Sequence, residues 1–360
     1  MRFQSVDRLP LWSDWLGPLT RWHAEGLPLD VDDRGGLIQH FGFDGMFSAF
    51  WGYPRVPVNI GLHPGFETEV IEETGRYRVY RTAGGATVRQ FRDVTGSLNS
   101  TQFLAYPIRT RRDWVRLRDE QLDPHAAGRY PDPAEWERMR KAWQDRDYVI
   151  SIDGGSFYGF VRDWVGVENL SLMLYDDPGL VHEMMEYLAD FFPRLLHKAL
   201  DEVRVDFAMF WEDMCYKTGP LLSPRMFREF MLAPYQRVTS FLEEHGVELS
   251  WVDCDGNIEA LLPLWIEGGV RGFYPLEVAA GMDAGRLRHQ YGHDIVMWGN
   301  VDKRALAQGR SAIDREMARL APVVALGGFV PLVDHGVPDD VSYADYLYYL
   351  ERRKELTGWK

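Results

Sequence analysis

Val247-Glu248-Leu249-Ser250-Trp251-Val252-Asp253-Cys254-Asp255-Gly256-Asn257 joins a short apolar run to a polar turn; a helical stretch over 258–267 and a second apolar run over 269–276 follow. Strand, helix and strand in that order predict a parallel pair joined by a right-handed crossover. The alternation extends in both directions. Further apolar runs stand at 148–152, 206–211, 295–298 and 328–333, and helical stretches at 177–202, 224–245, 284–291, 312–324 and 343–355. The stretch 320–333 is interrupted by proline and glycines and reads as a helix end followed by a strand. Six such units after residue 145, with two looser ones before it, make eight. The predicted fold is therefore α/β, a TIM (β/α)8 barrel, with residues 1–360 as one domain. An open doubly wound sheet is the alternative. No Gly-rich phosphate loop follows any of the runs, which counts against its dinucleotide-binding form.

Residues 1–145 read as an irregular N-terminal extension. A short apolar run over 9–15 has strand character, and 76–93 alternates around Gly84-Gly85, which predicts a β-hairpin. Asp132-Pro133 opens a short helix over 134–144.

Composition narrows the function. The 360 residues carry a net charge of −14, which disfavours nucleic acid and anionic membranes as partners. No uncharged apolar stretch is long enough to span a bilayer, and the first eight residues have no apolar core of a secretory leader. Two cysteines, Cys215 and Cys254, exclude a disulfide scaffold and fit a cytoplasmic protein. Aromatic residues make up 14 % of the chain, enough to line a cavity as well as fill a core.

Barrel enzymes build their sites at the C-terminal ends of the strands. Most of the runs end in polar residues: Asp153, Glu212-Asp213, Asp253-Cys254-Asp255, Glu277, Asn300 with Asp302, and Asp334-His335. Asp253 and Asp255 are two apart on a strand end, so their side chains point the same way. His335 precedes Gly336-Val337-Pro338, a turn that would project its ring into the same mouth. Asp253, Asp255 and His335 form a donor set for a divalent metal, zinc or another, with an open position. The alternative is a hydrogen-bonded network without metal. Cys254, between the two aspartates, should face the surrounding helices as a small buried residue, and Cys215 has no histidine nearby to activate it. Asn257 and Asp302 are in position to cap the helices that follow.

These residues, with their neighbours, resemble the uroporphyrinogen decarboxylase superfamily. Met297-Trp298-Gly299-Asn300-Val301-Asp302 and His335-Gly336-Val337-Pro338-Asp339-Asp340-Val341 are similar to two of its strand-end turns. Glu212-Asp213-Met214, Pro224-Arg225-Met226-Phe227 and Leu232-Ala233-Pro234-Tyr235 are similar to the strand and helix between. The resemblance implies a TIM barrel. It also implies kinship with methyltransferases that work with corrinoid proteins, whose zinc is held by one histidine and two cysteines. The matching positions here are Asp253, Asp255 and His335, a harder and more oxygen-rich set. The decarboxylases hold substrate carboxylates with N-terminal arginines, whereas this chain has Leu9-Pro10-Leu11-Trp12-Ser13-Asp14-Trp15 there.

The expected function is methyl transfer between a small methylated or methoxylated compound and a corrinoid carried by a partner protein, as in O-demethylation. Asp253, Asp255, His335 and Glu212 are the expected catalytic residues, and Trp12, Trp15, Tyr158, Glu277 and Asn300 the expected substrate contacts. Decarboxylation of a tetrapyrrole and a non-catalytic ligand-binding barrel are the alternatives. The family resemblance also implies a homodimer.

Overall fold

The computed structural model describes residues 3, 6–46, 54–92 and 101–359. Two short parallel strands, β1 (Trp12–Ser13) and β2 (Gly45–Met46), pair with each other. Six further parallel strands form one sheet: β3 (Ser151–Gly155), β4 (Phe207–Trp211), β5 (Ser250–Asp253), β6 (Gly272–Tyr274), β7 (Val296–Val301) and β8 (Phe329–Val333). Neighbours in this sheet are neighbours in sequence from β3 to β8. A doubly wound sheet would reverse that order at a switch point. Both sheet edges are engaged by the N-terminal part of the chain. Residues 54–56 bridge to β3, with Val56 N donating to Ser151 O at 2.9 Å and Ser151 N donating to Pro54 O at 3.1 Å. At the other edge, Val333 N of β8 donates to the Asp14 carboxylate at 2.8 Å. The fold is the TIM barrel that the alternation predicts.

Strand alternation divides the apolar residues into two cores. Trp12, Phe207, Met209, Trp251, Tyr274, Val296, Trp298, Val330 and Leu332 form the inner cluster. Trp251 lies 4.8 Å from Trp298 and 5.9 Å from Tyr274 between ring centroids, and Trp12 lies 6.4 Å from Trp298. These rings need space at Gly272, where an added Cβ would approach Trp251 Cβ to 2.3 Å. The intervening strand residues, such as Phe210, Val252, Phe273 and Met297, belong to the larger core shared with the helices. Cys254 and Cys215 are buried in that outer core as free thiols, as the alternation predicts for Cys254.

Helices 178–202, 284–291, 310–325 and 343–356 match their expected positions closely. The stretch read as one helix over 224–245 is two, Pro224–Phe230 and Leu232–Glu244. Pro234 explains the break: it is tolerated in a first turn, but in a continuous helix it would leave the Phe230 carbonyl unbonded. Pro263 likewise sits at the start of Leu262–Glu267, which begins four residues later than expected. The N-terminal part is more ordered than the irregular region predicted, with helices Leu19–Ala24, Arg34–Phe41 and Arg111–Gln121. The expected hairpin is present as Tyr77–Arg81 and Thr87–Phe91, turning at Gly85 with φ +85°; residue 93 lies outside the described residues. It is the centre of a four-stranded antiparallel sheet completed by Glu69–Glu73 and Thr101–Ala105. No described helix is long and apolar enough to cross a membrane.

Asp14 joins the first strand to the end of the chain. Its buried carboxylate accepts from Val333 N, from Tyr346 Oη at 3.1 Å, from Tyr349 Oη at 3.3 Å and from Arg353 Nη1 at 3.3 Å. Arg353 also donates to Trp12 O at 2.8 Å. Removing one member of a buried, hydrogen-bonded ion pair leaves the other uncompensated. Asp14→Ala is therefore expected to cost about 3–5 kcal/mol of stability, and Asp14→Asn less, as read from urea unfolding midpoints at unchanged slope.

Candidate active site

The phase of the inner core fixes which polar residues reach the barrel mouth. Trp251 faces the lumen, so Asp253 and then Asp255 follow on the same side above the aromatic floor. On β4 the inward residues Phe207 and Met209 put Asp213 in phase and Glu212 out of phase. One carboxylate oxygen from each of Asp213, Asp253 and Asp255 lies within 4.8 Å of the others. Asp255 N donates to Asp213 Oδ1 at 3.4 Å, and His335 Nε2 stands 3.4 Å from Asp255 Oδ2. Asp213 adopts φ +41°, a left-handed conformation that a residue with a Cβ holds only when its surroundings impose it.

Asp213 and Asp253 are buried beside a third carboxylate, so neither ionises freely. Burial, then the charge of Asp255, pushes the Asp213 carboxyl up to about 6, against the opposing pull of Arg162. Asp253 is 7 % exposed. Burial and the charges of Asp213 and Asp255 raise its carboxyl well above the usual range. The contact with Asp255 raises the His335 imidazole above its ordinary value, so this ring holds its proton more tightly. The cluster thus presents retained protons or, once these leave, an oxygen-rich set for a divalent cation.

The other expected residues divide between the mouth and the scaffold. Trp15 is at the mouth, 48 % exposed, with its ring centroid 5.1 Å from that of His335. Backbone pairing of Trp15–Leu16 with Gly336–Val337 sets that contact. Glu277 accepts from Gly256 N at 2.9 Å and from Lys303 Nζ at 3.1 Å, so it braces the Asp253–Asn257 turn. Trp12, 8 % exposed, is part of the lumen floor.

Three expectations are corrected. Glu212 faces away from the cluster; it is fully buried and accepts from Phe157 N and Gly159 N, each at 2.9 Å, and from Tyr235 Oη at 2.5 Å. It anchors the turn after β3. Tyr158 is packed in the outer core and its phenol is pushed up to about 12 by burial. Asn300 is enclosed by Ala284 N, Leu276 O, Met282 O and Arg319, and takes φ +58°. Its outward orientation and saturated amide leave nothing to offer a substrate. Asp334 is also a brace, accepting from Val278 N at 2.7 Å and Lys303 N at 3.1 Å, while burial raises its carboxyl to about 6. Asp302 caps the helix Lys303–Ala307 as expected, accepting from Arg304 N, but Asn257 caps no helix: it accepts from Glu259 N in a local turn, and the next helix, Leu262–Glu267, begins after Leu261.

Three further residues, Asp213, Arg162 and Lys303, stand at the mouth. Asp213 was legible in principle from the phase of β4. Arg162 donates from Nη1 to Asp213 O at 2.7 Å and lies 4.7 Å over the Trp211 ring. It reaches the mouth from the helix Tyr158–Val165, which strand-end reasoning does not consider. Lys303 follows the capping Asp302, and its reach toward Glu277 depends on tertiary structure.

The Asp213 carboxyl has a sign-definite effect on stability. It releases its proton near 3.8 when unfolded and near 6 when folded, so folding binds protons between those values. Stability therefore falls as pH rises from about 4 through about 6. Asp213→Asn removes this cost. It is expected to raise unfolding free energy at pH 7.5 by on the order of 1–2 kcal/mol, with little change at pH 4. Urea unfolding across this range checks it, and Asp334 contributes the same slope to both proteins.

The sequence matches the family described as Uroporphyrinogen decarboxylase (URO-D) over residues 104–356. The uroporphyrinogen decarboxylase of Shewanella pealeana is 25 % identical over 208 residues, covering 56 % of this chain and 52 % of that protein. That of Pseudomonas aeruginosa is 25 % identical over 226 residues, covering 60 % and 57 %. The matched region thus spans little more than half the length of these curated relatives. Among solved structures, a methyltransferase from Methanosarcina mazei superposes with a TM-score of 0.59 at 15 % identity, covering 98 % of this chain and 96 % of that one. This likeness is one of fold. The family match over residues 104–356, well over half of the sequence, makes this chain a member of the uroporphyrinogen decarboxylase family.

Proposed function

We propose that the chain is a methyltransferase that moves a methyl group between a small methylated or methoxylated compound and a corrinoid carried by a partner protein. The observation that carries this reading is the Asp213–Asp253–Asp255 cluster, with His335 against it, at the open end of an aromatic-floored barrel. Breaking a methyl–oxygen bond with the methyl leaving as an electrophile keeps the bonding pair on oxygen. That oxygen then needs a proton or a positive charge. Asp213, protonated up to about pH 6, and His335, with its raised affinity for a proton, are in place to supply the proton. Trp15 offers a flat face to an aromatic compound, and Arg162 and Lys303 supply cationic edges.

The donor set fits a divalent metal. Three carboxylate oxygens lie close enough to share one ion, and an ion would offset the mutual repulsion that raises Asp213 and Asp253. Asp213, Asp253, Asp255 and His335 would hold it, and when bound it would supply Lewis acidity to the ether oxygen. The residues' own contribution is to orient the compound over Trp15 and to keep Asp255 fixed between His335 and the Asp213 carboxylate.

Decarboxylation of a tetrapyrrole is the second reading. Arg162 beside Asp213 favours it, as a carboxylate anchor next to a proton donor. The end of β1 favours methyl transfer, because it carries Trp12, a structurally committed Asp14 and Trp15 in place of arginines.

The test is a methyl-transfer assay against a panel of methoxyaromatics with a reduced corrinoid protein, run beside a tetrapyrrole decarboxylation assay. Methyl transfer is expected, and Asp255→Ala and His335→Ala are each expected to lower it at least 100-fold, roughly the loss for a positioned acid–base group, with unchanged unfolding midpoints. A full-rate His335→Ala enzyme, or turnover in the tetrapyrrole assay alone, overturns the assignment.

A further inference from the structure

We propose that His197, Asp201 and His245 form a second divalent transition-metal site, of the chemistry that suits zinc, on the outer surface of the barrel. His197 and Asp201 are four apart on the helix Pro178–Glu202, so they share one face, while His245 ends the helix Leu232–Glu244 packed beside it. His197 Nδ1 lies 2.8 Å from Asp201 Oδ2, and His245 Nε2 lies 3.6 Å from Asp201 Oδ1. One donor atom from each residue falls within 4.8 Å of the others, a spread that small side-chain rotations close to the separations of a tetrahedral site.

The state of His245 points to a cation. Its Nδ1 is 2.7 Å from Phe241 O. A carbonyl only accepts, so Nδ1 carries a proton and donates it. That bond orients the ring and leaves Nε2 as the metal-binding nitrogen, in the manner of second-sphere carbonyls at histidine–metal sites. In the neutral ring, the Nε2 lone pair then faces a carboxylate oxygen, acceptor against acceptor. A metal between them turns that repulsion into two bonds. The Phe241 ring, 4.3 Å from His245 and 6.3 Å from His197, forms an apolar wall behind the set. His197 and Asp201 are 61 % and 51 % exposed, so water can complete the coordination. Arg237 already ties the same two helices through Asp190 and Glu186, each at 2.7 Å. The metal would add a second clasp between two elements already held in register.

The site is independent of the barrel mouth, and the experiment keeps the two apart. Metal-free Asp255→Ala/His335→Ala protein is titrated with zinc against a chromophoric chelator. One zinc per chain is expected, together with a rise in melting temperature. Adding His197→Ala and His245→Ala should weaken that zinc at least tenfold and abolish the rise. In the otherwise native chain, the His197→Ala/His245→Ala pair should leave turnover unchanged. No zinc bound to the mouth-disabled protein, or equal affinity with and without the two histidines, overturns the proposal and leaves the reading of the mouth untouched.

Discussion

A barrel made of one chain has to join its first strand to its last, and here Asp14 makes that join. The first strand is only two residues long, too short to hold its place by backbone pairing. Its position depends on one buried carboxylate that accepts a hydrogen bond from the backbone of β8 and three more from the last helix. The remaining structure inherits that constraint. The register of Trp15 with Gly336 follows directly, and so does the meeting of Trp15 with His335. The acid in the N-terminal segment is thus a structural closure, and the pocket retains the two tryptophans that flank it.

The lumen and the mouth are consecutive layers of the same alternation. Tryptophans and a tyrosine fill the lower layer, and on β5 the next inward positions are aspartates. Stacking carboxylates on an aromatic floor removes water from beneath them, which explains why Asp253 and Asp213 resist ionisation. The neighbouring side chains of Glu212, Asn300 and Asp334 are hydrogen-bonded by contrast. Glu212, Asn300 and Asp334 each secure a loop that would otherwise move under the strain and repulsion at the mouth. Polar residues at strand ends therefore serve two purposes here, and only orientation separates them.

That distinction marks how far sequence reasoning reaches. The periodic strand and helix runs after residue 145 identify the barrel because apolar burial on both sides of a parallel sheet leaves a strong one-dimensional trace. The N-terminal sheet was half legible. Tyr77–Arg81 and Thr87–Phe91 show alternation, but Glu69–Glu73 is exposed along its whole length and carries no pattern. At the site, spacing finds Asp253, Asp255 and His335, because two aspartates two residues apart on a strand share a face. Glu212 and Asp213 are adjacent and differ by half a period. Choosing between them needs the inward phase of β4, which lies in the sizes of its neighbours and in contacts made by other strands. Arg162 arrives from a helix, and no strand-end rule could have found it.

The cost of the cluster is itself an argument about its purpose. A folded chain gains nothing in stability from the desolvated carboxyls of Asp213 and Asp253 or from a left-handed aspartate; each is unfavourable on its own. Such a combination persists when protein or ligand chemistry uses it. The two roles it supports, a retained proton and a cation seat, are alternatives in pH: protons occupy the cluster at low pH, and a cation competes better as they leave. A cysteine pair in the same place would hold a soft ion through its own charge transfer. Aspartates would hold an ion mainly through charge, and the aromatic floor would strengthen that attraction by excluding water. An oxygen donor set would therefore suit chemistry at an oxygen atom better than activation of a thiol.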